Sequence, residues 1–169
     1  MAKILVTGAS GYLGCALVEE LLLESHSVIA VDWLVHGRIP LGVFIDNPGF
    51  KLVQADVRVL DPAQLVGVDA VCDLAALAGP ESCRLHPELA RSINVTARKR
   101  LMLLAKARGA RRYILATNQP RRYGGLEDDL DREAEDGLLY LSELDFCTTV
   151  LRFGEYYGLS RRMRFDQAR

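Results

Sequence analysis

Six short apolar runs, spread along the chain, restrict its fold more than any other feature of the sequence. KILVT (3–7), HSVIAVD (26–32), FKLVQ (50–54), DAVCDLA (69–75), RYILAT (112–117) and TTVLRF (148–153) are rich in β-branched and aromatic residues. Most are apolar throughout instead of alternating with polar residues, the pattern of strands covered on both faces by helices. Between them, Tyr12–Glu24 and Pro87–Arg108 read as helices. Leu13, Ala16, Leu17 and Leu21 give the first an apolar stripe. Pro87 suits the first turn of the second, and Gly109 suits its C-terminal cap. Asp61–Val66 reads as a short helix, and Trp33–Gly49 as a long loop. Strand and helix in alternation predict an α/β, doubly wound, mostly parallel sheet of about six strands with right-handed crossovers. One domain is expected over residues 1–169.

Composition narrows the partners. Half the residues are hydrophobic and a quarter charged, with a formal net charge of −1, so no global field draws the chain to nucleic acid or to an anionic membrane. No apolar run approaches the roughly 20 residues that would span a bilayer. Only Met1, Ala2 and Lys3 precede the first run, which leaves no room for a signal peptide and makes the cytoplasm the expected compartment. Cys15, Cys72, Cys83 and Cys147 form no CxxC pair, so reduced, mostly buried thiols are expected and no metal site is. A basic series (Arg98, Lys99, Arg100, Lys106, Arg108, Arg111, Arg112) and an acidic one (Glu127 to Asp136) stand out. Both read as solvated helix and loop faces.

Where the first run meets the first helix, the sequence is VTGASGYLG, with Gly8, Gly11 and Gly14 spaced by threes. Gly8 suits a tight turn off the strand, Gly11 the approach of a pyrophosphate to bare main chain, and Gly14 close packing of helix on strand. The helix opening at Tyr12 and Leu13 would aim its N–H groups and positive dipole end at the phosphates. Glycine-rich turns also occur without ligands, so a second signal is needed. Asp32 supplies it, eighteen positions past Gly14 at the end of the second run, where an acid accepts hydrogen bonds from the adenosine ribose. No Gly-Lys-Ser or Gly-Lys-Thr follows, which argues against a P-loop. Asp32 would repel a 2′-phosphate and is followed by Trp33 instead of Arg, so NAD is expected over NADP.

These residues resemble the extended short-chain dehydrogenase/reductase family, in its NAD-dependent epimerase/dehydratase branch acting on nucleotide sugars. The likeness runs through almost the whole chain. ADV (55–57) is similar to the family's adenine-side segment, which implies that Asp56 faces the exocyclic amine and Val57 the ring. DLAALAG (73–79) resembles the segment after the fourth strand, implying that Leu74, Ala75 and Ala76 line the cofactor, with Asp73 where a His is usual. INVTA (93–97) carries Asn94 into the family's Asn-Val position. The stretch from Tyr113 to Gly125 resembles the strand leading to the catalytic Ser/Thr and a Tyr-Gly pair, here at Tyr123. VLRFGEYYG (150–158) resembles the sixth strand and its Tyr-Gly ending, which implies that Phe153 and Gly154 lie near the nicotinamide; Tyr123, Tyr156 and Tyr157 also read as ordinary rim aromatics. Homodimers are compatible with the resemblance, but nothing in the sequence specifies one.

The family's reaction uses a Tyr phenolate, its pKa lowered from about 10 by a Lys one helical turn on, and a Ser or Thr hydroxyl that orients the substrate. Tyr140 is the candidate phenol here, yet Leu144 stands four residues on. The hydroxyl expected four positions before Tyr123 is replaced by Gln119, with Thr117 displaced from that place. Tyr140 precedes Thr148 by eight residues, about 12 Å of helix at 1.5 Å per residue, while a six-residue strand stands about 20 Å tall. Residues 126–147 are therefore read as a shortened crossover that has lost most of the catalytic helix, and Tyr140 as a packing residue instead of a base. Family members also continue into a C-terminal substrate lobe, absent from these 169 residues. The expectation is cofactor binding with little or no turnover; the alternatives are a non-catalytic NAD-binding or scaffold protein, or a fragment of a longer enzyme.

Overall fold

The computed structural model describes residues 1–35, 37, 39–120, 124–154 and 157–162. Tyr123 and Tyr156 lie outside the described residues. The six apolar runs form strands β1 (Lys3–Thr7), β2 (Ser27–Asp32), β3 (Phe50–Gln54), β4 (Ala70–Asp73), β5 (Arg112–Asn118) and β6 (Cys147–Phe153). They make one all-parallel sheet in the order β3-β2-β1-β4-β5-β6. The order reverses direction between β1 and β4, which opens a crevice at their carboxyl ends.

Successive side chains of a strand point to opposite faces, and both faces are covered. Leu5, Ile29, Val31, Val71, Tyr113 and Leu115 pack beneath the helices on one side. Ile4, Val6, Val28, Ala30 and Cys72 pack on the other with Cys15 and Val18 of helix α1 (Tyr12–Leu23). This two-sided burial is why the inner strands β1, β2 and β4 are largely apolar, whereas the edge strands β3 and β6 are only partly buried.

The long second helix is more broken than its periodicity suggests. Helix α2 (Pro80–Leu85) precedes it, then α3 (Pro87–Arg91) passes through a π-helical turn, Ser92–Ala97, into α4 (Arg98–Ala107). Gly109, at φ +83, ends it as expected. The 33–49 loop contains a 3₁₀ helix at Ile39–Phe44, and the expected helix near 61–66 is a 3₁₀ turn at Pro62–Leu65. Cys15, Cys72 and Cys83 are buried free thiols, while Cys147 is exposed. No helix among the described residues is long and apolar enough to cross a membrane.

The crossover between β5 and β6 corrects the expectation of a lost helix. Residues Leu126–Leu139 form the 14-residue helix α5, about 21 Å long and so as tall as the sheet. It begins at the crevice and descends along β5 and β6.

Candidate functional site

A cleft of about 770 Å³ opens at the carboxyl edge of the sheet. Its floor is the turn between β1 and α1. Gly8 adopts φ +64, and a Cβ there would stand 2.9 Å from the backbone of Leu74 and Ala75. Gly14 lies hard against the same turn: a Cβ on it would be forced into the Gly8 carbonyl and within 2.8 Å of Ala9 Cα. Gly11, by contrast, is at φ −74, and an added Cβ would meet only the Gly8 oxygen, at 3.0 Å. Gly11 N–caps α1 without a side-chain hydrogen bond, so no capping side chain covers the helix's first turn. Gly8, Gly11, Tyr12, Leu13 and Gly14 all line the cleft.

At one end, Asp32 terminates β2. Its carboxylate accepts from Ser10 N at 2.9 Å and Leu34 N at 2.7 Å, tying the strand end to the glycine turn. Trp33 lines the cleft next to it, with the Arg58 guanidinium 5.4 Å from its ring centroid. Asp56 and Val57 line the same end. Hydrogen bonds from Arg58 hold the Asp56 carboxyl below its usual range.

The wall formed by Leu74, Ala75 and Ala76 is held from behind. The Thr7 hydroxyl donates to Asp73 and accepts from Leu74 N and Ala75 N, both at 3.1 Å. Asp73 also accepts from the Tyr113 hydroxyl at 2.7 Å; burial and that carboxylate push the phenol well above its ordinary value. Asn94, buried in the π-helical turn, clamps the loop by a bidentate pair: Leu77 N donates to Oδ1 at 2.8 Å and Nδ2 donates to Leu77 O at 3.1 Å. These bonds make Asn94 an anchor of the loop around Leu77.

The opposite end, toward Phe153, differs from the expectation. Thr117 lines the cleft, but its hydroxyl donates to Glu135 Oε1 at 2.6 Å. Glu127 and Asp131 of α5, one turn apart, also face the cleft. Glu127, Asp128, Asp131 and Glu135 are all buried, so only Asp129, Glu133 and Asp136 of the acidic stretch keep to a solvated face. Tertiary partners explain the burial. Asp131 pairs with Arg98, itself 2% exposed, at 2.9 Å and accepts from Asn118 N at 3.1 Å. Glu127 accepts from Gly79 N at 3.0 Å and Asn118 Nδ2 at 3.3 Å. Glu135 takes Thr117 and Arg152. The basic series is likewise not uniformly solvated, since Arg98 is buried and Arg100 donates to Leu60 O at 3.0 Å. Carboxylates so engaged are spent as ligand groups, and burial without such partners would be costly.

Tyr140 is absent from the cleft lining and 91% exposed at the far end of α5. The packing role expected for it is therefore wrong; it is a surface side chain. Leu144, also exposed, brings no charge.

Reading the sequence missed Arg98, Asn118, Glu127, Asp131 and Arg162 as cleft residues. A signal was present for three acids: Glu127, Asp131 and Glu135 recur every fourth residue, one step from the buried stripe Leu130, Ala134 and Leu138. Inward acids beside an apolar stripe demand partners.

Known proteins resemble this chain in sequence and in fold. UDP-glucuronic acid decarboxylase 4 of Arabidopsis thaliana is 31% identical over 118 residues, 69% of this chain and 26% of that enzyme. The structure of MoeE5 in complex with UDP-glucose and NAD aligns over 88% of this chain and 52% of that one, at TM-score 0.71 and 25% identity. UDP-glucuronic acid 4-epimerase from Bacillus cereus, solved with NAD, shares the fold at TM-score 0.77 and 22% identity over 92% of this chain and 57% of its own. The chain thus spans about a quarter of the curated relative and about half of the two solved chains. A sequence model described as the NAD dependent epimerase/dehydratase family matches residues 4–137. With that match over most of its length, the chain belongs to the NAD-dependent epimerase/dehydratase family.

Proposed function

We propose that this chain binds NAD along the cleft and turns over nucleotide sugars at trace rates or not at all. The adenosine lies toward Asp32, Asp56 and Val57, the pyrophosphate over Gly8, Gly11 and Gly14, and the nicotinamide toward Phe153 and Thr117. The bound dinucleotide supplies hydride transfer in this family; the residues here bind and orient it. MoeE5, solved with UDP-glucose and NAD, supports a nucleotide sugar as the second ligand. The observation that carries the low-turnover reading is α5. At its cleft end it presents Glu127 and Asp131, both engaged, where the reaction wants a free phenol and an ammonium. Thr117 is spent on Glu135.

Thermal melts test the cofactor. A ligand at 100 times its dissociation constant stabilises by about 2.7 kcal/mol, a rise of roughly 5–11 °C at about 2–4 °C per kcal/mol. NAD should give that shift and NADP much less, because a 2′-phosphate would face the Asp32 carboxylate. Equal shifts would remove the role given to Asp32, and none with either would remove the site. Single-turnover formation of NADH from several nucleotide sugars, with the chain in excess, tests catalysis; clear turnover would overturn the low-activity reading. A second reading follows from the matched length: catalysis requires further polypeptide, from a longer chain or a partner, and activity would then depend on its addition.

A further inference from the structure

After β6, residues 157–162 lie against α1. The Tyr12 hydroxyl donates to Gly158 O at 2.6 Å, and Ser160 Oγ donates to Tyr12 O at 2.7 Å. The Arg161 guanidinium makes two bonds to Glu19, at 3.1 and 2.6 Å, and lies 5.2 Å from the Phe44 centroid. These anchors hold the segment on the first turns of α1. The next residue, Arg162, is half-buried and lines the cleft with Gly11, Tyr12, Leu13 and Gly14.

Its position is electrostatically unusual. Burial and the Asp32 carboxylate push the Cys15 thiol up to about 11, and the Arg162 and Arg161 charges pull against them, so the Arg162 guanidinium acts on the opening of α1. Among the described residues no carboxylate pairs with Arg162, whereas its neighbour Arg161 is paired. A cation beside the positive end of a helix is unfavourable unless an anion offsets it, and the carboxylate nearby, Asp32, is itself engaged by Ser10 N and Leu34 N. Five N–H donors in a rigid fork suit a phosphate.

We propose that Arg162 is an anion-binding residue of this cleft that donates to the pyrophosphate of the dinucleotide across from the glycine turn. The inference rests on the NAD reading above and adds a contact supplied from beyond β6. The chemistry recognised is a diphosphate diester, which a nucleotide sugar also carries; the place beside Gly11 and Gly14 assigns it to the dinucleotide.

Calorimetric titration of the full chain tests this with NAD, ADP-ribose, adenosine and UDP-glucose as separate ligands. Arg162→Ala should weaken NAD and ADP-ribose by roughly tenfold to a hundredfold, the worth of a hydrogen bond to a charged group. Adenosine, lacking phosphate, should be unaffected. Arg162→Lys should recover part of the loss, and Arg111→Ala, an equal charge change at an exposed site, should cause none. Unchanged NAD binding in Arg162→Ala would overturn the proposal. So would an equal loss for adenosine, which marks a structural role, or a loss confined to UDP-glucose. A parent chain that fails to bind NAD at all would instead overturn the cofactor reading, and this one with it.

Discussion

At the carboxyl edge of one sheet, the end built from β1 and β2 offers bare backbone, and the end built from β5 and β6 offers charge already matched with charge. The first end has three glycines, a helix start with no capping side chain and one carboxylate, Asp32, that braces the turn. The second has Arg98, Asn118, Arg152 and Thr117 closed onto Glu127, Asp131 and Glu135. Backbone donors left open cost little, because a ligand or water can satisfy them. Buried side-chain charges must find partners within the chain, and once they do they have little left for a substrate. One fold thus holds open backbone at one end and closed hydrogen-bonded ion pairs at the other.

The contrast breaks most visibly at Arg98. Arg98→Ala strands Asp131 and should cost about 3–5 kcal/mol, a fall in melting temperature of roughly 6–20 °C. The double change Arg98→Met with Asp131→Leu should recover much of it, since no charge is then abandoned. A loss under about 1 kcal/mol for Arg98→Ala would show that the ion pair is not the strut described.

The binding end should behave in the opposite way. Gly11→Val disturbs the fold less than a change at Gly8 or Gly14, because its Cβ meets the Gly8 oxygen alone, at 3.0 Å, and a shift of a few tenths of an ångström relieves it; its methyl groups would enter the cleft. The variant should melt close to the parent and lose the NAD-dependent gain of about 2.7 kcal/mol. Gly14→Ala, whose Cβ would strike Gly8 and Ala9, should lower stability itself. A Gly11→Val chain that still binds NAD normally would move the phosphates elsewhere.

Glu135 sharpens the comparison in pH. Burial raises this carboxyl, but hydrogen bonds from Arg152 and Thr117 outweigh it, and it ends below its ordinary 4.5. A depressed folded-state value stabilises above the unfolded one and is lost as pH falls through the folded one. Glu135→Gln should therefore cost about 1 kcal/mol at neutral pH, Arg152 being half exposed and screened. The difference from the parent should shrink below about pH 4.5. A cost that holds steady into acid would mean that packing, and not charge, holds Glu135.

The smallest effect is expected at Tyr140. Its side chain is 91% exposed, so Tyr140→Phe should shift stability by less than about 0.5 kcal/mol. Whatever trace turnover the parent has should survive. If activity is clear in the parent and vanishes in the variant, α5 holds the catalytic phenol after all.

The same contrast separates what the sequence discloses from what it hides. Strand positions and the glycine turn are legible because each depends on local chemistry: two-sided burial makes the inner strands largely apolar, and Gly8 at φ +64 tolerates little else. The inward turn of Glu127, Asp131 and Glu135 is not, because their partners sit at residues 98, 117–118 and 152, known only once the sheet has formed. Charge in a run of acids looks solvated until the cations that meet it are placed. The π-helical turn at Ser92–Ala97 is hidden for a similar reason. One extra residue per turn leaves the averaged periodicity of 87–108 nearly intact, while Asn94 is selected by the Leu77 loop it clamps.

Trp33 gives the molecule an optical handle at the binding end. It is the chain's one tryptophan, half exposed on the cleft wall with a guanidinium against its ring. All indole emission from the protein therefore originates a few ångströms from where an adenosine is proposed to lie. Quenching or a spectral shift on adding a nucleotide reports occupancy of that end without a label, and NADH, which absorbs where indole emits, would brighten as it dims the tryptophan.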